Sequence, residues 1–465
     1  MQLVPDEAYY FDWSRHLDIG YYSKPPMVAW LNFISTHVFG VNEFAVRFFA
    51  ALLGTASVAV VYLLAKDMFD ENMAFFTGAM ALFTPANCAL SFIMTIDPPL
   101  VFFGTLALYF LWKAIDSSKD LIYFTLSGLC TGLAILSKQM MILYLILVPL
   151  FFVFNKDLRH KLQSPGFIIF IVFSLCALFL PIYWNYQHGW VTLQENLHHL
   201  SKNPSLIKTM QSFFEYIGGQ LMLITPIFGF IVYYSIFKGL YEFKNFDLRY
   251  KFLFIFGGVP LILFILGSLK QRINANWPAL FYPPALIFAA GYIYEYKKDL
   301  LRLLNTGLTI AYVFVFLTYI TPFVFSIDTL SGLKIDPTTR GKGWKELAQQ
   351  FDKIYSNYVK KDIFILSERR DTISELAFYL PDHPYIYKWD RNRDVVKDQY
   401  EVWGGPDKGY IEKDSLMIFK KKTDIRSLNA FFKTINKIKD IKIKIGKNSS
   451  RNYSVYLGKG FKGFY

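Results

Sequence analysis

The sequence predicts a mostly α protein: a polytopic membrane helical bundle followed by an exterior α/β domain at the C-terminus. Three observations lead to that fold class. The 465 residues are 54% hydrophobic and 19% aromatic, with a mean hydropathy of +0.29, more apolar than an ordinary soluble domain. The apolar residues gather into runs that, at about 1.5 Å per residue, reach across a hydrocarbon layer of about 30 Å. After Phe325 those runs shorten and charge rises. The chain therefore divides into an exterior segment with interfacial helices at 1–42, a transmembrane helical domain at 43–325 and a soluble α/β domain at 326–465.

The first segment crowds acids, bases and aromatics together. It runs Asp6-Glu7-Ala8-Tyr9-Tyr10-Phe11-Asp12-Trp13-Ser14-Arg15, then Gly20-Tyr21-Tyr22-Ser23-Lys24-Pro25-Pro26. Aromatic side chains suit the headgroup zone, and Pro25-Pro26 stiffens the entry to a helix over 27–40. The first residues are polar and acidic and do not read as a cleavable signal peptide.

Spans are predicted near 43–65, 74–93, 98–115, 121–137, 139–155, 165–185, 215–237, 252–269, 277–296 and 303–325. The longer loop over 186–214 carries Trp190, His198 and His199 and suits an interfacial helix or a lid. Adjacent histidines diverge on a helix, so that pair makes a poor metal site. In the tail, 362–367, 415–419 and 452–457 read as strands. Segments 371–380 and 424–438 read as helices, capped by Asp371 and Asp424.

Lysine and arginine set the orientation. With the N-terminal segment outside, the inside loops hold Lys66, Lys113, Lys119, Lys156, Arg159, Lys161, Lys238, Lys244, Arg249, Lys251, Lys297, Lys298 and Arg302. The outside membrane loops are longer and hold fewer: Arg15, Lys24, Lys138, Lys202, Lys208, Lys270 and Arg272. The tail falls outside as well. The net charge of +13 sits largely in inside loops and the tail, so nucleic acid is not an expected partner. Cys88, Cys130 and Cys176 lie in apolar runs and read as buried small residues, neither disulfides nor metal ligands. GxxxxGK[ST], GxGxxG and HExxH are absent from the sequence, which argues against a nucleotide-driven transporter, a dinucleotide enzyme and a zinc protease.

The acidic pair Asp6-Glu7, the Tyr-rich helix and Gly20-Tyr21-Tyr22-Ser23-Lys24-Pro25-Pro26 together resemble the first periplasmic loop of bacterial membrane glycosyltransferases. The group is the protein-mannosyltransferase and aminoarabinose (lipid A) transferase-like branch of the GT-C fold. The resemblance runs to about residue 325. It implies an inverting transferase in the bacterial inner membrane, multi-pass, with its active site and C-terminal domain facing the periplasm. The donor would be a polyprenyl (undecaprenyl) monophosphate sugar, and the acceptor an envelope glycolipid such as lipid A or lipopolysaccharide, or a protein. No cofactor is expected, and a divalent metal is optional because a cation can balance a leaving monophosphate. Members usually carry a transmembrane helix ahead of the acidic pair, whereas five residues precede Asp6 here. Either the start lies further upstream, or the protein lacks that helix.

The resemblance also assigns roles. Asp6 takes the position of the catalytic carboxylate and serves as general base; from spacing alone a cap for the Tyr9–Leu17 helix is the favoured reading. Glu7 orients the acceptor or Asp6. Lys24 is a donor-phosphate ligand or, on the blander reading, a snorkelling anchor. Arg15 is a further phosphate candidate. Aminoarabinose transferases have an arginine three residues after the catalytic aspartate, where this chain has Tyr9, so that contact is missing or supplied elsewhere. Asp97, in Met94-Thr95-Ile96-Asp97-Pro98-Pro99, matches a second acidic motif and would also cap the helix starting at Pro98. Lys138 and Arg272 are phosphate candidates, the latter beside Asn276-Trp277-Pro278, a segment with family counterparts. Ser374 to Pro381 resembles a family tail motif to which no role attaches.

Two other classes stay open at the sequence level. A lipid or glycan flippase would have little need of Asp6, and a non-catalytic membrane scaffold subunit would tolerate loss of Lys24 too.

Overall fold

Proline and threonine placement decides how the apolar runs become helices. In the computed structural model, which describes residues 1–200, 206–358, 362–390, 396–447 and 449–464, two of the expected straight spans are broken. The run at 74–93 forms Glu71–Leu82 and Pro85–Phe92, bent by 67°. Thr84 caps the second piece, its hydroxyl accepting the Asn87 N–H at 3.2 Å, and Pro85 opens its first turn. The run at 215–237 forms Leu206–Ile224 and Pro226–Glu242, bent by 111°. Between them Thr225 takes a positive φ of 72°, strained for a β-branched residue.

The chain divides into two units, one of Met1–Leu17, Ala29–Val46 and Ile320–Tyr465, the other of Asp18–Val28 and Arg47–Tyr319. Most of the apolar helix falls in the second. Among the described residues five helices are long and apolar enough to cross a membrane: Glu43–Met68, Asp97–Asp116, Pro165–Gln187, Leu248–Ser268 and Lys298–Val324. The number rises to seven if each bent pair is one span. The segments expected at 121–137, 139–155 and 277–296 give shorter helices: Asp120–Ile135, Leu143–Phe154 after a 3-10 turn, and Tyr282–Tyr296 after another.

Within the second unit, Asp120–Ile135 and Pro165–Gln187 approach closely through Gly128 and Gly132. A Cβ on Gly128 would lie 2.7 Å from the Phe170 Cα, and one on Gly132 would lie 2.9 Å from the Ala177 Cβ. Four-residue spacing puts both glycines on one face, the small-xxx-small packing of membrane helices. Cys88 and Cys130 are buried as expected; Cys176 is exposed on its helix, and all three are free thiols.

The first unit holds a five-stranded sheet in the order β2-β1-β3-β5-β4. Its strands are β1 (Phe364–Ser367), β2 (Ile386–Lys388), β3 (Ser415–Lys420), β4 (Phe432–Gly446) and β5 (Ser449–Phe461). β1 runs parallel to β2 and β3, while β5 is antiparallel to β3 and β4. Phe364, Trp389, Phe419, Phe432 and Phe461 pack its core.

The helix expected over Asp424–Ile438 is not there: Arg426–Ala430 is a 3-10 turn, and β4 follows. Antiparallel pairing with β5 along its whole length supplies the hydrogen bonds a helix would have made internally. Asp371 lies in the first turn of the Arg370–Tyr379 helix, whose cap position is Arg369. Asp424 accepts the N–H of Arg426 at 3.1 Å in a local turn. The edge strand β4 exposes Lys433, Lys437, Lys439, Lys442 and Lys444. The Pro5–Ser14 helix packs on Arg370–Tyr379, with Phe11 edge-on to Phe378 at 5.0 Å between ring centres.

Candidate active site

In the first unit the site begins at the start of the Pro5–Ser14 helix. Val4 is the cap residue, Pro5 opens the first turn, and Asp6 and Glu7 follow inside it. Glu7 is fully buried, and its Oε2 accepts the Val4 N–H at 3.0 Å. The capping duty considered for Asp6 is therefore done by Glu7, the third helical residue, as in a capping box.

Asp6 points elsewhere. Arg340 Nη2 lies 3.0 Å from its Oδ2, and Arg370 Nη2 lies 2.8 Å from its Oδ1. The Arg370 guanidinium also lies over the Tyr9 ring, 4.7 Å from its centre. Tyr9 is buried and its hydroxyl accepts the Gln399 N–H at 2.6 Å. Burial, then the nearby Asp398 charge, pushes the Tyr9 hydroxyl pKa well above its ordinary value. An arginine from the tail thus stacks on Tyr9.

Arg340 and Arg370 line a cleft of about 450 Å³, together with Arg369, Lys388, Lys397 and Arg451 and the acids Glu368, Asp371 and Asp398. Burial alone would raise the Asp371 carboxyl, but hydrogen bonds and charge from Arg369 hold it below the usual carboxylate range. Arg15 is committed to structure. Its Nη1 meets Asp12 at 2.9 Å and its Nη2 meets the His383 carbonyl at 2.5 Å. Asp12 also accepts the Tyr400 hydroxyl at 2.7 Å. Burial raises the Asp12 carboxyl pKa, against the opposing pull of Arg15.

The second unit holds Lys24, Asp97, Lys138 and Arg272. Asp97 is the first residue of its helix, and the cap position belongs to Ile96. Its two oxygens are taken from afar: Lys138 Nζ at 2.8 Å and Asn276 Nδ2 at 2.6 Å. All the atoms of this pair of charges are nearly withdrawn from solvent, with both side chains 8% exposed. Asp97 and Asn276 form the polar end of an otherwise apolar slot of about 160 Å³, walled by Ala86, Ala89, Leu90, Ile93 and Tyr282. The wall exists because Pro85–Phe92 turns away from the helix before it.

Lys24 sits in a fixed turn, since Tyr21 and Lys24 exchange backbone hydrogen bonds at 3.1 and 3.3 Å and the Met27 N–H reaches the Leu136 carbonyl at 3.0 Å. Gly20 lies flat on Trp184: a Cβ there would meet the indole at 2.7 Å. The indole N–H donates to Asp18 at 2.7 Å. Tyr22 donates to Glu195 at 2.6 Å. Arg272 is 76% exposed and lies 3.6 Å from Glu215. The side chains of His198 and His199 lie outside the described residues.

The structure thus joins Asp97 to Lys138 and Asp6 to two arginines the sequence did not suggest. Residues 23–184 match the family model for dolichyl-phosphate-mannose-protein mannosyltransferase. The chain is 27% identical over 394 residues to the lipid A galacturonosyltransferase RgtD of Rhizobium johnstonii, covering 82% of this chain and 78% of that protein. Its fold superposes on the crystal structure of ArnT from Cupriavidus metallidurans with a TM-score of 0.64 at 17% identity, over 98% of this chain and 94% of that one. This chain has the GT-C fold. Its five long apolar helices are those of a multi-pass membrane protein. It is also similar to the undecaprenyl phosphate-alpha-4-amino-4-deoxy-L-arabinose arabinosyl transferase of Photorhabdus laumondii, at 26% identity over 57% of this chain and 51% of that protein.

Proposed function

We propose that the enzyme moves a sugar, with inversion, from a polyprenyl monophosphate donor to a glycolipid of the lipid A or lipopolysaccharide class at the periplasmic face of the inner membrane. The relatives' names support the two substrates: one acts on lipid A, another uses an undecaprenyl phosphate donor. The orientation rests on the excess of Lys and Arg in the loops read as inside.

The observation that carries the reading is Asp6. It stands in the first turn of its helix, relieved of capping by Glu7, with its carboxylate at the edge of a basic cleft. In the proposed reaction Asp6 accepts the proton of the acceptor hydroxyl. The hydroxyl oxygen forms the new bond to the anomeric carbon as the bond from that carbon to the phosphate oxygen breaks. The leaving phosphate then carries the added negative charge, which Lys24, Lys138 and Arg272 offset. Asp97, itself held by Asn276, keeps the Lys138 ammonium in place, and the apolar slot beside them suits the first isoprene units of the donor.

Mass spectrometry of lipid A and core from cells lacking the protein, complemented with wild type or Asp6→Asn, tests this. A sugar-sized loss restored by wild type alone is expected. Unchanged glycolipid with an altered exported glycoproteome would transfer the reading to a protein acceptor.

A further inference from the structure

We propose that the basic cleft of the first unit binds a phosphate group carried by the acceptor, and that Arg340 exchanges Asp6 for that phosphate when it arrives. This rests on the acceptor reading above and adds a recognition element and a switch to it.

The guanidinium groups of the cleft, and the way they are paired, point to an anion. Arg369 is closed by Asp371 at 2.8 Å, and Lys388 by Asp398 and Glu401 at 2.6 Å each. Lys397 is closed by Asp390. Beside these pairs, two guanidinium groups, Arg340 and Arg370, share one carboxylate, Asp6, while the Arg451 guanidinium and the Glu368 carboxyl also line the cleft. Arg451 is held by the carbonyls of Thr339 at 3.0 Å and Lys342 at 3.1 Å and lies 4.0 Å over the Trp344 ring. Those contacts fix its position without offsetting its charge. Nearby, burial, with Arg369 and Arg451 and against Asp371 and Glu368, pushes the Lys420 ammonium pKa down. Guanidinium forks match a phosphate in planarity and donor spacing. The cleft volume lies within the range of about 300–1,000 Å³ usual for small-ligand sites.

The two arginines on Asp6 are not equivalent. Arg370 is packed on Tyr9, while Arg340 is 65% exposed and reaches Oδ2 through a single nitrogen. Arg340 is the one free to swing. A phosphate entering the cleft offers it a stronger partner, and its departure clears the Asp6 Oδ2 lone pairs to receive a hydroxyl proton. An acceptor with the right anion would thus ready the base that acts on it.

The test uses the full chain in detergent. Binding of glucosamine 1-phosphate is titrated by calorimetry at fixed ionic strength, beside glucosamine and undecaprenyl phosphate, for wild type, Arg340→Gln and Arg451→Gln. Thermal unfolding of each variant accompanies it. Wild type should bind the sugar phosphate at least tenfold more tightly than the sugar. Arg340→Gln should lose that preference while binding undecaprenyl phosphate as before. Equal binding of the two sugars, or an unchanged preference in a folded Arg340→Gln, overturns the cleft. A parallel loss of undecaprenyl phosphate assigns the arginine to the donor and overturns it too. For the switch, transfer to lipid A with and without its phosphates is compared. Arg340→Gln should raise KM for the phosphorylated acceptor and speed transfer to the dephosphorylated one; equal slowing of both refutes the exchange. Binding is read without turnover, so a failed lipid A phenotype with intact phosphate preference would unseat the acceptor class and leave the cleft standing.

Discussion

Lys138 and Asp97, 41 residues apart, form a buried ion pair at 2.8 Å whose second carboxylate oxygen is satisfied by Asn276. A charge pair this far from solvent is held by its geometry, because each ion alone would be costly to bury. Asp97→Ala should therefore destabilise the second unit by about 3–5 kcal/mol, since it strands the ammonium. Lys138→Met combined with Asp97→Ala should cost less than Asp97→Ala alone. Thermal unfolding in detergent measures both, and a double variant no better than the single one would remove the pair from the account.

Asp6 and Glu7 are neighbours with opposite duties. Glu7→Ala should loosen the helix start, by about 1 kcal/mol on the scale of lost caps, and expose the N-terminus to proteolysis. Asp6→Asn should leave protease resistance intact and abolish transfer. Limited proteolysis beside an activity assay separates them; loss of resistance in both variants would make Asp6 a structural residue.

Gly128 permits the contact between Asp120–Ile135 and Pro165–Gln187. Gly128→Leu has no room, with the Phe170 backbone 2.7 Å from the first added carbon. It should lower the yield of folded protein severalfold, whereas Gly218→Ala, where a Cβ meets nothing within 4 Å, should not. Size-exclusion profiles of the two variants make the comparison.

His16 lies between Trp403, Tyr385 and the Asp12–Arg15 pair. Burial lowers its pKa, Arg15 adds to the effect, and Asp12 opposes it. The unfolded chain then binds more protons than the folded one between the lowered value and the ordinary value of about 6.5. Stability from this group is present above pH 6.5 and declines as pH falls through that window. The difference in unfolding temperature between wild type and His16→Gln should shrink from pH 7.5 to pH 5.5; a difference that grows would reverse the sign of the shift.

Much of the fold was legible because apolar runs are local signals. Glu43–Met68, Asp97–Asp116 and Pro165–Gln187 lie where hydropathy puts them. The bends at Thr84-Pro85 and Thr225-Pro226 were visible as residues, but proline in an apolar run is tolerated by membrane helices often enough to hide a break. β4 misled through Ile435 and Ile438, three apart as on a helix face, although Ile441, Ile443 and Ile445 alternate as a strand requires. Among the candidate residues of the two units, Asp6, Asp97, Lys138 and Asn276 stood out in loop motifs. Arg340, Arg370 and Arg451 did not, because they come from three separate places in the tail and meet only once the sheet has formed.

A sheet invites strangers at its borders, where unpaired backbone groups wait for another strand. Here one border is β2, three residues long, and the other is β4 with its row of five exposed lysines. Two copies of this tail approaching edge to edge would bring those lysines face to face. The long ribbon that completes the sheet thus also discourages fibril growth while the tail is still folding.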